Sequence, residues 1–207
     1  MILFLGIFGA SYLLGAIPTG LLVGRLKGID VRKQGSGNIG ATNVARVVGK
    51  LPGLFVLLVD AAKGWLPVAV LAPLAVSSQG RVSPELVKVL LGVAAVAGHI
   101  WNPFLQFKGG RGVATSLGVL LGLDLRVGLA VLGVWLAVVW WTRYVSVGSV
   151  AAALAAPFLM MWMGLPTVGI LGGIGISLAI IARHRPNILR LLHGEENRVG
   201  QKREVKG

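Results

Sequence analysis

The chain has 207 residues, of which 55% are hydrophobic and only 13% are charged, and its mean hydropathy is +0.81. A soluble domain of this size exposes too much of its surface to carry so apolar a composition, which excludes a soluble globular fold and a disordered chain. The absence of cysteine excludes disulfides, a thiolate nucleophile and a cysteine-based metal site, and the net charge of +13 points to nucleic acid, anionic lipid or an anionic substrate.

Seven apolar segments predict an all-α integral membrane protein, because about 20 apolar residues span the hydrocarbon core as a helix. The first contains Pro18 and is interpreted as a retained span, since it lacks the basic leader and small-residue cleavage site of a signal peptide. The fourth is short for a span. The predicted spans of this single polytopic domain are 2–26, 47–76, 85–101, 113–123, 127–142, 145–163 and 166–182, with a cytoplasmic tail over 183–207.

Lys and Arg are distributed unevenly between alternate loops. If the N-terminus is outside, only Arg81, Lys88 and Arg126 lie outside and Lys63 lies within a span. The other sixteen lie inside: Arg25, Lys27, Arg32, Lys33, Arg46, Lys50, Lys108, Arg111, Arg143, Arg183, Arg185, Arg190, Arg198, Lys202, Arg203 and Lys206. Because cytoplasmic loops carry the excess of cations, the N-terminus is predicted outside and the C-terminus in the cytoplasm.

Three polar segments share that inner side: 35–46, 98–115 and 183–196. The first places glycines, small hydroxyls and amides before a helix, where backbone N–H groups can hold phosphate. Gly35 and Gly40 have P-loop spacing, but Ala41 stands where that motif needs lysine, which makes an NTPase a poor interpretation. The alternative is a flexible loop that caps the next helix; Arg46 favours an anion site.

The second segment carries Lys108 and Arg111 among glycines that lead into a helix, a pattern that suits a phosphate or carboxylate. Its alternative is a positive-inside loop anchored by Trp101 and Phe104. The third segment ends the last span with a cationic cluster, for which the alternative is snorkelling and binding of anionic lipid. That alternative suits the basic tail but explains His184 and Asn187 less well.

Asp60 and Lys63 lie three residues apart inside the second span, hence on one helix face, and are interpreted as a structural ion pair. Three glycine pairs with small-xxx-small spacing predict close helix packing. They are Gly20 with Gly24, Gly118 with Gly122, and Gly169 with Gly173.

Together the three segments resemble the bacterial membrane family of acyl-phosphate:glycerol-3-phosphate acyltransferases, and the likeness extends over nearly the whole chain. The first family motif is matched by Ser36, Gly37, Asn38, Gly40, Thr42, Asn43 and Arg46. The second is matched by Gly98, His99, Phe104, Phe107, Lys108, Gly109, Gly110, Gly112, Val113, Ala114 and Thr115, and the third by Arg183, His184, Asn187, Ile188, Arg190, Leu191, Gly194 and Glu196. One departure is Arg111, where lysine is usual.

The resemblance implies transfer of a fatty acyl group from acyl phosphate to the sn-1 hydroxyl of glycerol 3-phosphate, which gives lysophosphatidic acid and phosphate. It also implies seven spans, a bacterial cytoplasmic (inner) membrane location and a site that faces the cytoplasm. Because an acyl phosphate is already activated, direct attack needs no acyl-enzyme, and positioning and charge stabilisation dominate. The attacking hydroxyl loses its proton either to the substrate phosphate or to His184.

The expected site residues fall into three groups. Ser36, His184 and Asn187 are expected to be catalytic. Gly37, Asn38, Gly40, Thr42, Asn43, Arg46, Lys108, Gly109, Gly110, Arg111, Gly112, Thr115 and Arg183 are expected to bind substrate phosphate. In particular, Arg46 and Lys108 would hold glycerol 3-phosphate, while the two glycine-rich loops donate to the acyl phosphate. His99, Asp60, Lys63 and Glu196 are expected to be supporting.

No cofactor and no metal are expected, and the expected partners are the two substrates and membrane lipid, with the protein a monomer. A transporter of organic phosphates is the main alternative, but the polar motifs lie on one side and no internal repeat is visible. A non-catalytic lipid-binding scaffold would leave the three glycine-rich and basic segments unexplained. Nucleic-acid binding is disfavoured because the cations are spread among membrane-flanking loops.

Overall fold

The computed structural model describes residues 2–77 and 82–200, and within these ranges the chain is helical with no β-strand. Its helices are α1 (Ile2–Ala16), α2 (Thr19–Leu26), α3 (Ala41–Val47), α4 (Lys50–Leu66), α5 (Ala72–Ser77), α6 (Pro84–Ile100), α7 (Val113–Leu123), α8 (Leu125–Thr142), α9 (Val145–Trp162), α10 (Thr167–Arg183) and α11 (Arg185–Leu192). A π-helical turn, Pro67–Leu71, joins α4 to α5, and a 3₁₀ turn, Pro103–Leu105, follows α6. Arg81, Lys202, Arg203 and Lys206, which entered the charge analysis, lie outside the described residues.

Four helical segments are long and apolar enough to cross a membrane: Lys50–Ser77, Pro84–Leu105, Leu125–Thr142 and Val145–Trp162. Two more qualify if each bent pair is one span, namely α1 with α2 (bent by 40°) and α10 with α11 (bent by 50°). Helix α7 is apolar but has only 11 residues. The all-α membrane architecture is thus confirmed, whereas the count of seven spans stays a prediction.

The second predicted span differs from the structure at its start. A short helix, α3, ends at Val47, and α4 begins at Lys50 after Gly49, whose φ of +138° favours glycine. Continuous apolar periodicity does not register such a break, because the helical pattern resumes three residues later. The separate α3 matters because its N-terminus lies at the site described below.

The break between α1 and α2 is stabilised by side chains from elsewhere in the chain. Pro18 lacks a backbone N–H and interrupts the helical ladder. The carbonyl of Ala16 accepts a hydrogen bond from Asn102 Nδ2, and that of Ile17 accepts one from Lys63 Nζ at 2.6 Å. The same Nζ lies 2.6 Å from Asp60 Oδ1, which confirms the expected ion pair. Lys63 thereby connects Asp60 to the helix break.

Glycines bring several helix backbones into direct contact. A Cβ atom on Gly64 of α4 would lie 1.9 Å from the carbonyl oxygen of Thr115, and one on Gly118 of α7 would lie 1.9 Å from that of Ala61. Only glycine permits such an approach. The close helix packing predicted for three glycine pairs is confirmed for Gly118 and Gly122, which face residues 61–68. Gly20 and Gly24 instead face mainly the loop that follows α2, and Gly169 and Gly173 face the side chain of Met160.

Candidate active site

A cavity of about 200 Å³ lies where the three polar segments converge. It is lined by residues of the first segment (Ser36, Asn38, Gly40, Thr42, Asn43 and Arg46), the second (His99, Arg111 and Gly112) and the third (His184, Asn187 and Glu196), together with Asp60. Ser36 and Glu196, which are 160 positions apart in sequence, thus share one cavity. This convergence defines the candidate active site.

The first segment is shaped by the side chain of Asn43, which is 1% exposed. Its Oδ1 accepts a hydrogen bond from the Ser36 amide at 2.8 Å, and its Nδ2 donates to the carbonyls of Val31, Gln34 and Asn38 at 2.9 to 3.1 Å. Asn43 therefore holds the loop in place and leaves Ser36 and Asn38 to face the cavity. The Arg46 guanidinium lies beside it, with Nη1 donating to Asn43 Oδ1 at 3.4 Å.

Two helix N-termini face the cavity. Gly40 caps α3 in an extended conformation and without a side-chain cap, and Ala41 and Thr42 of its first turn line the cavity. Gly112, with φ +82°, is the N-cap residue of α7 and likewise provides no side-chain hydrogen bond. Val113 and Ala114 of the first turn line the cavity there. First-turn amides have no acceptor within their own helix, so they are suited to an anion.

Gly109 and Gly110 fix the loop before α7 and are not lining residues. Their amides donate to the carbonyls of Ile100 and His99, each at 3.1 Å. Their own carbonyls accept from Arg183, at 3.0 Å from Nη2 to Gly109 and 3.4 Å from Nε to Gly110. A Cβ atom on Gly110 would lie 2.2 Å from His99 Nε2, so this loop and the end of α6 fit only with glycine there.

Of the cations predicted to bind phosphate, Arg46 and Arg111 line the cavity. Lys108 lies on the same loop as Arg111, but its side chain is exposed and outside the lining. Burial is the main cause that lowers the pKa of Arg111 to about 10, with Glu196 opposing the shift and the neighbouring arginines adding to it. Arg111 stays charged at neutral pH.

Four other expected site residues lie outside the cavity lining. Gly37 has φ +71° in the first loop, and Thr115 is fully buried against α4. Arg183 holds the glycine loop, and Lys63 holds the helix break, as described above. The structure therefore places all four beside the cavity lining as shaping elements.

In the third segment, the His184 ring is oriented by the end of α10. Its Nδ1 lies 2.8 Å from the carbonyl oxygen of Ile180, which can only accept, so Nδ1 carries the hydrogen. In the neutral ring Nε2 is then an acceptor. The side chain is 2% exposed and lines the cavity.

Glu196 joins three elements at the edge of the cavity. Its Oε1 accepts from Asn187 Nδ2 at 2.7 Å and from Ser146 Oγ at 2.9 Å, and its Oε2 accepts from Arg190 Nε at 2.8 Å. Burial alone would raise the pKa of this carboxyl, but the three hydrogen bonds and the charge of Arg190 outweigh it and hold the pKa below its usual 4.5. Asn187 is thereby oriented, and its Oδ1 has no partner among the residues the structure describes.

Beyond the polar end, the cavity continues between α7, α8, α9 and α10. The walls of this apolar arm are hydrophobic or small: Leu120, Leu123, Val131, Ala152, Ala156, Met160, Gly173 and Ile176. Most of them also belong to the buried cluster that holds α7, α8 and α9 together. The cavity thus has a cationic polar end and an apolar arm.

Comparison with known proteins agrees with this arrangement. A model of the family described as Glycerol-3-phosphate acyltransferase matches residues 5–194. The glycerol-3-phosphate acyltransferase of Synechococcus sp. (strain JA-3-3Ab) is 52% identical over 193 residues, which cover 93% of this chain and 91% of that protein. The chain belongs to the glycerol-3-phosphate acyltransferase family.

Solved structures extend this acyltransferase likeness to three dimensions. The crystal structure of PlsY (YgiH), an integral membrane glycerol 3-phosphate acyltransferase, in its glycerol 3-phosphate form is 43% identical and superposes with a TM-score of 0.87, covering 95% of this chain and 96% of that one. Its lysophosphatidic acid form superposes with a TM-score of 0.84 at the same identity, covering 95% of each chain. This chain is accordingly an integral membrane acyltransferase.

Sequence reasoning missed several polar residues of the acyltransferase site, Ser116 and Ser146 among them, and it missed the partner of Arg190. Ser116 lies on the second turn of α7 and lines the cavity, and Ser146 at the start of α9 donates to Glu196. Arg190 was assigned to the cationic cluster but not to a partner, which proves to be Glu196. A single serine at the edge of an apolar span carries no local pattern, so only the packing of α7 and α9 against the loops reveals these roles.

Proposed function

We propose that this acyltransferase moves a fatty acyl group from acyl phosphate to the sn-1 hydroxyl of glycerol 3-phosphate, giving lysophosphatidic acid and phosphate. The observation that carries the proposal is the single cavity that joins a cationic end to an apolar arm. An acyl phosphate has the matching halves, since its phosphate suits the two helix N-termini and its chain suits the arm. The glycerol 3-phosphate and lysophosphatidic acid forms of the similar crystal structure agree with this substrate and product.

In the proposed mechanism, the cations and amides hold both phosphates so that the reacting groups meet. Arg46 binds glycerol 3-phosphate, aided by Lys108 from the exposed side of its loop, while Arg111 and the first-turn amides of α3 and α7 bind the acyl phosphate. Ser36 and Asn187 orient the reacting groups. Such positioning converts a reaction between two bound molecules into an effectively intramolecular one.

The chemical step is a direct displacement. The sn-1 oxygen attacks the acyl carbonyl carbon, the new C–O ester bond forms, and the C–O bond to phosphate breaks as phosphate leaves. The hydroxyl proton goes to an oxygen of the departing phosphate or to His184 Nε2. No acyl-enzyme is needed, because the phosphate is already a stable leaving group.

The experiment that tests the proposal is phosphate release from palmitoyl phosphate by the purified protein, with and without glycerol 3-phosphate, followed by identification of the lipid product. The expected result is phosphate release that depends on glycerol 3-phosphate and yields lysophosphatidic acid. Absence of turnover with palmitoyl phosphate, together with turnover of acyl-CoA, would reject the proposed donor.

His184→Ala separates the two routes for the proton. If His184 is the sole base, turnover falls about 10²- to 10⁴-fold and the acidic limb of the pH–rate profile is lost. A near-normal rate with an unchanged profile assigns the proton to the substrate phosphate. His193→Ala is the matched control, because His193 is exposed and outside the cavity lining.

We also propose that the protein resides in the bacterial cytoplasmic membrane with its site on the cytoplasmic side. The distribution of Lys and Arg supports this orientation, since the loops that build the site belong to the cation-rich side. Glycerol 3-phosphate is charged and water-soluble, so an open cytoplasmic end suits its entry. We further propose that the functional unit is a monomer, since the three polar segments of one chain converge on a single cavity.

A further inference from the structure

The hydroxyl of Ser116 is buried at the cavity without a hydrogen-bond partner. The residue is 5% exposed and lines the cavity, and its Oγ has no partner among the described residues. A helical serine commonly donates to the carbonyl four residues earlier. Ser11 and Ser149 do so here, each at 2.8 Å, but Ser116 does not. Buried hydroxyls are rarely left unpaired, so this one calls for an acceptor from a ligand.

Ser116 lies where the polar end of the cavity meets the apolar arm. Gly112, Ser116 and Leu120 follow one another at four-residue spacing on one face of α7, and all three line the cavity. Helical side chains lean toward the N-terminus, so the hydroxyl is directed toward Gly112 and the first-turn amides. Below it Leu120 begins the apolar wall.

The position of Ser116 matches that of the carbonyl group in the proposed acyl donor, acyl phosphate. With the phosphate at the first turn of α7 and the acyl chain beside Leu120, the carbonyl that links them lies next to Ser116. Four residues of helix rise by about 6 Å, which is the scale of the carboxyl-phosphate group. Resting on the proposed function, we infer that Ser116 donates a hydrogen bond to the acyl carbonyl oxygen.

That hydrogen bond strengthens as the reaction proceeds. When the sn-1 oxygen attacks, the electron pair of the C=O bond moves onto the carbonyl oxygen, which becomes an oxyanion. The pair returns to re-form C=O as the bond to phosphate breaks, and Ser116 keeps its proton throughout. A donor fixed before the reaction stabilises such a charge without reorganisation.

The neighbouring residue Thr115 differs from Ser116 in its position relative to the cavity. Its hydroxyl is also buried and unpartnered among the described residues, yet it lies outside the cavity lining. Its carbonyl abuts Gly64 of α4, so Thr115 belongs to the helix contact. Of these two residues, only Ser116 lines the cavity in which the acyl phosphate is proposed to bind.

The test measures steady-state kinetics of phosphate release from palmitoyl phosphate by Ser116→Ala, with glycerol 3-phosphate varied. We expect kcat to fall about 10- to 100-fold while KM for glycerol 3-phosphate stays within about threefold, because the lost donor acts on the transition state. Ser11→Ala removes a similarly buried hydroxyl that lies outside the cavity lining and should keep the wild-type kcat. A wild-type kcat in Ser116→Ala, or an equal loss in Ser11→Ala, overturns the inference.

A second pair isolates the hydroxyl from packing. Ser116→Thr and Ser116→Val place side chains of the same shape in the cavity, so any steric disturbance is common to both. We expect the threonine variant to turn over at least tenfold faster than the valine variant; equal rates overturn the inference. If the wild-type protein itself does not use palmitoyl phosphate, the proposed function fails, which is distinguishable because it does not depend on Ser116.

Discussion

Glu196 accepts one hydrogen bond from Ser146 of α9 and two from α11, donated by Asn187 and Arg190, so one carboxylate fixes the side of the site that presents Asn187. Asn187 donates from Nδ2 to Glu196, and its Oδ1, which has no partner in the described part of the chain, is the atom that the proposed mechanism assigns to the substrate. Glu196 therefore acts on the site through Asn187, whose side chain it orients. Its ionised state is what makes it an acceptor for three donors at once.

Acidification should weaken this network. Because the folded pKa of Glu196 lies below its usual 4.5, the stabilisation is present above that value and is lost as pH falls through the folded pKa. We expect Glu196→Gln to lower the melting temperature in detergent at pH 7 by several degrees and to reduce the fall in melting temperature between pH 5 and pH 3. Glu195→Gln, at an exposed neighbour, is the control; an identical pH profile for both variants would refute the assignment.

Arg111 and Lys108 lie three residues apart on one loop but differ in burial, which gives a test of their roles. Arg111→Ala should lower kcat/KM for palmitoyl phosphate about 100-fold or more, because it removes a half-buried cation from the cavity lining. Arg111→Lys keeps the charge and should lose far less, despite the loss of the planar fork. Lys108→Ala should mainly raise KM for glycerol 3-phosphate, and equal effects of all three variants on both substrates would contradict this division.

At the scale of helices, buried polar side chains replace the hydrogen bonds that the breaks remove. The break at Pro18 leaves the carbonyls of Ala16 and Ile17 without helical partners, and Lys63 and Asn102 supply the missing donors from α4 and from the loop after α6. Inside a membrane an unpaired carbonyl is costly, so these contacts determine whether the bent pair is stable. Asp60 forms an ion pair with Lys63 and also lines the cavity, which connects the break to the site.

Removal of Lys63 should therefore cost more than its own contacts. Lys63→Met leaves Asp60 buried without a counter-charge, a change that typically costs about 3 to 5 kcal/mol. We expect a large fall in melting temperature for Lys63→Met and partial recovery in the double variant Asp60→Asn with Lys63→Met, both measured in detergent. A double variant no more stable than Lys63→Met would show that the charge of Asp60 is not the cause.

For the whole molecule, charge and site lie together on one side. Arg46, Arg111, Arg183 and Arg190 all belong to loops or helix ends that build the cavity, while Arg126 at the start of α8 pairs with Asp124 on the side assigned to the exterior. Under the proposed function and orientation, the cation excess therefore has two uses, orientation in the membrane and binding of anions.

The proposed orientation can be tested cleanly because the chain has no cysteine. Single substitutions Arg126→Cys and Glu195→Cys place one thiol at an exposed position on each proposed side. In intact bacterial cells whose outer membrane is permeable, a membrane-impermeant maleimide should label Arg126→Cys and should reach Glu195→Cys only after the inner membrane is opened. The unsubstituted protein is the blank, and the opposite labelling pattern would invert the topology.

Local patterns in the sequence predicted those features that depend on neighbours along one helix. The Asp60–Lys63 pair and the helix contact at Gly118 and Gly122 follow from spacing of three and four residues, and the structure confirms both. The role of Asn43 as the organiser of its loop was not predicted, because its partners are backbone carbonyls whose position depends on the folded loop. Ser116 and Ser146 were missed for the same reason: each acquires its role only when α7 and α9 pack against distant segments.

The break at Pro18 also has a consequence for biogenesis. The donors that complete it lie 46 residues (Lys63) and 86 residues (Asn102) further along the chain than their acceptors. At a synthesis rate of about 5 to 20 residues per second, the last of them emerges roughly 4 to 17 s after its acceptor. The bent pair of α1 and α2 therefore cannot complete its hydrogen bonds until α6 and the residues after it have been synthesised.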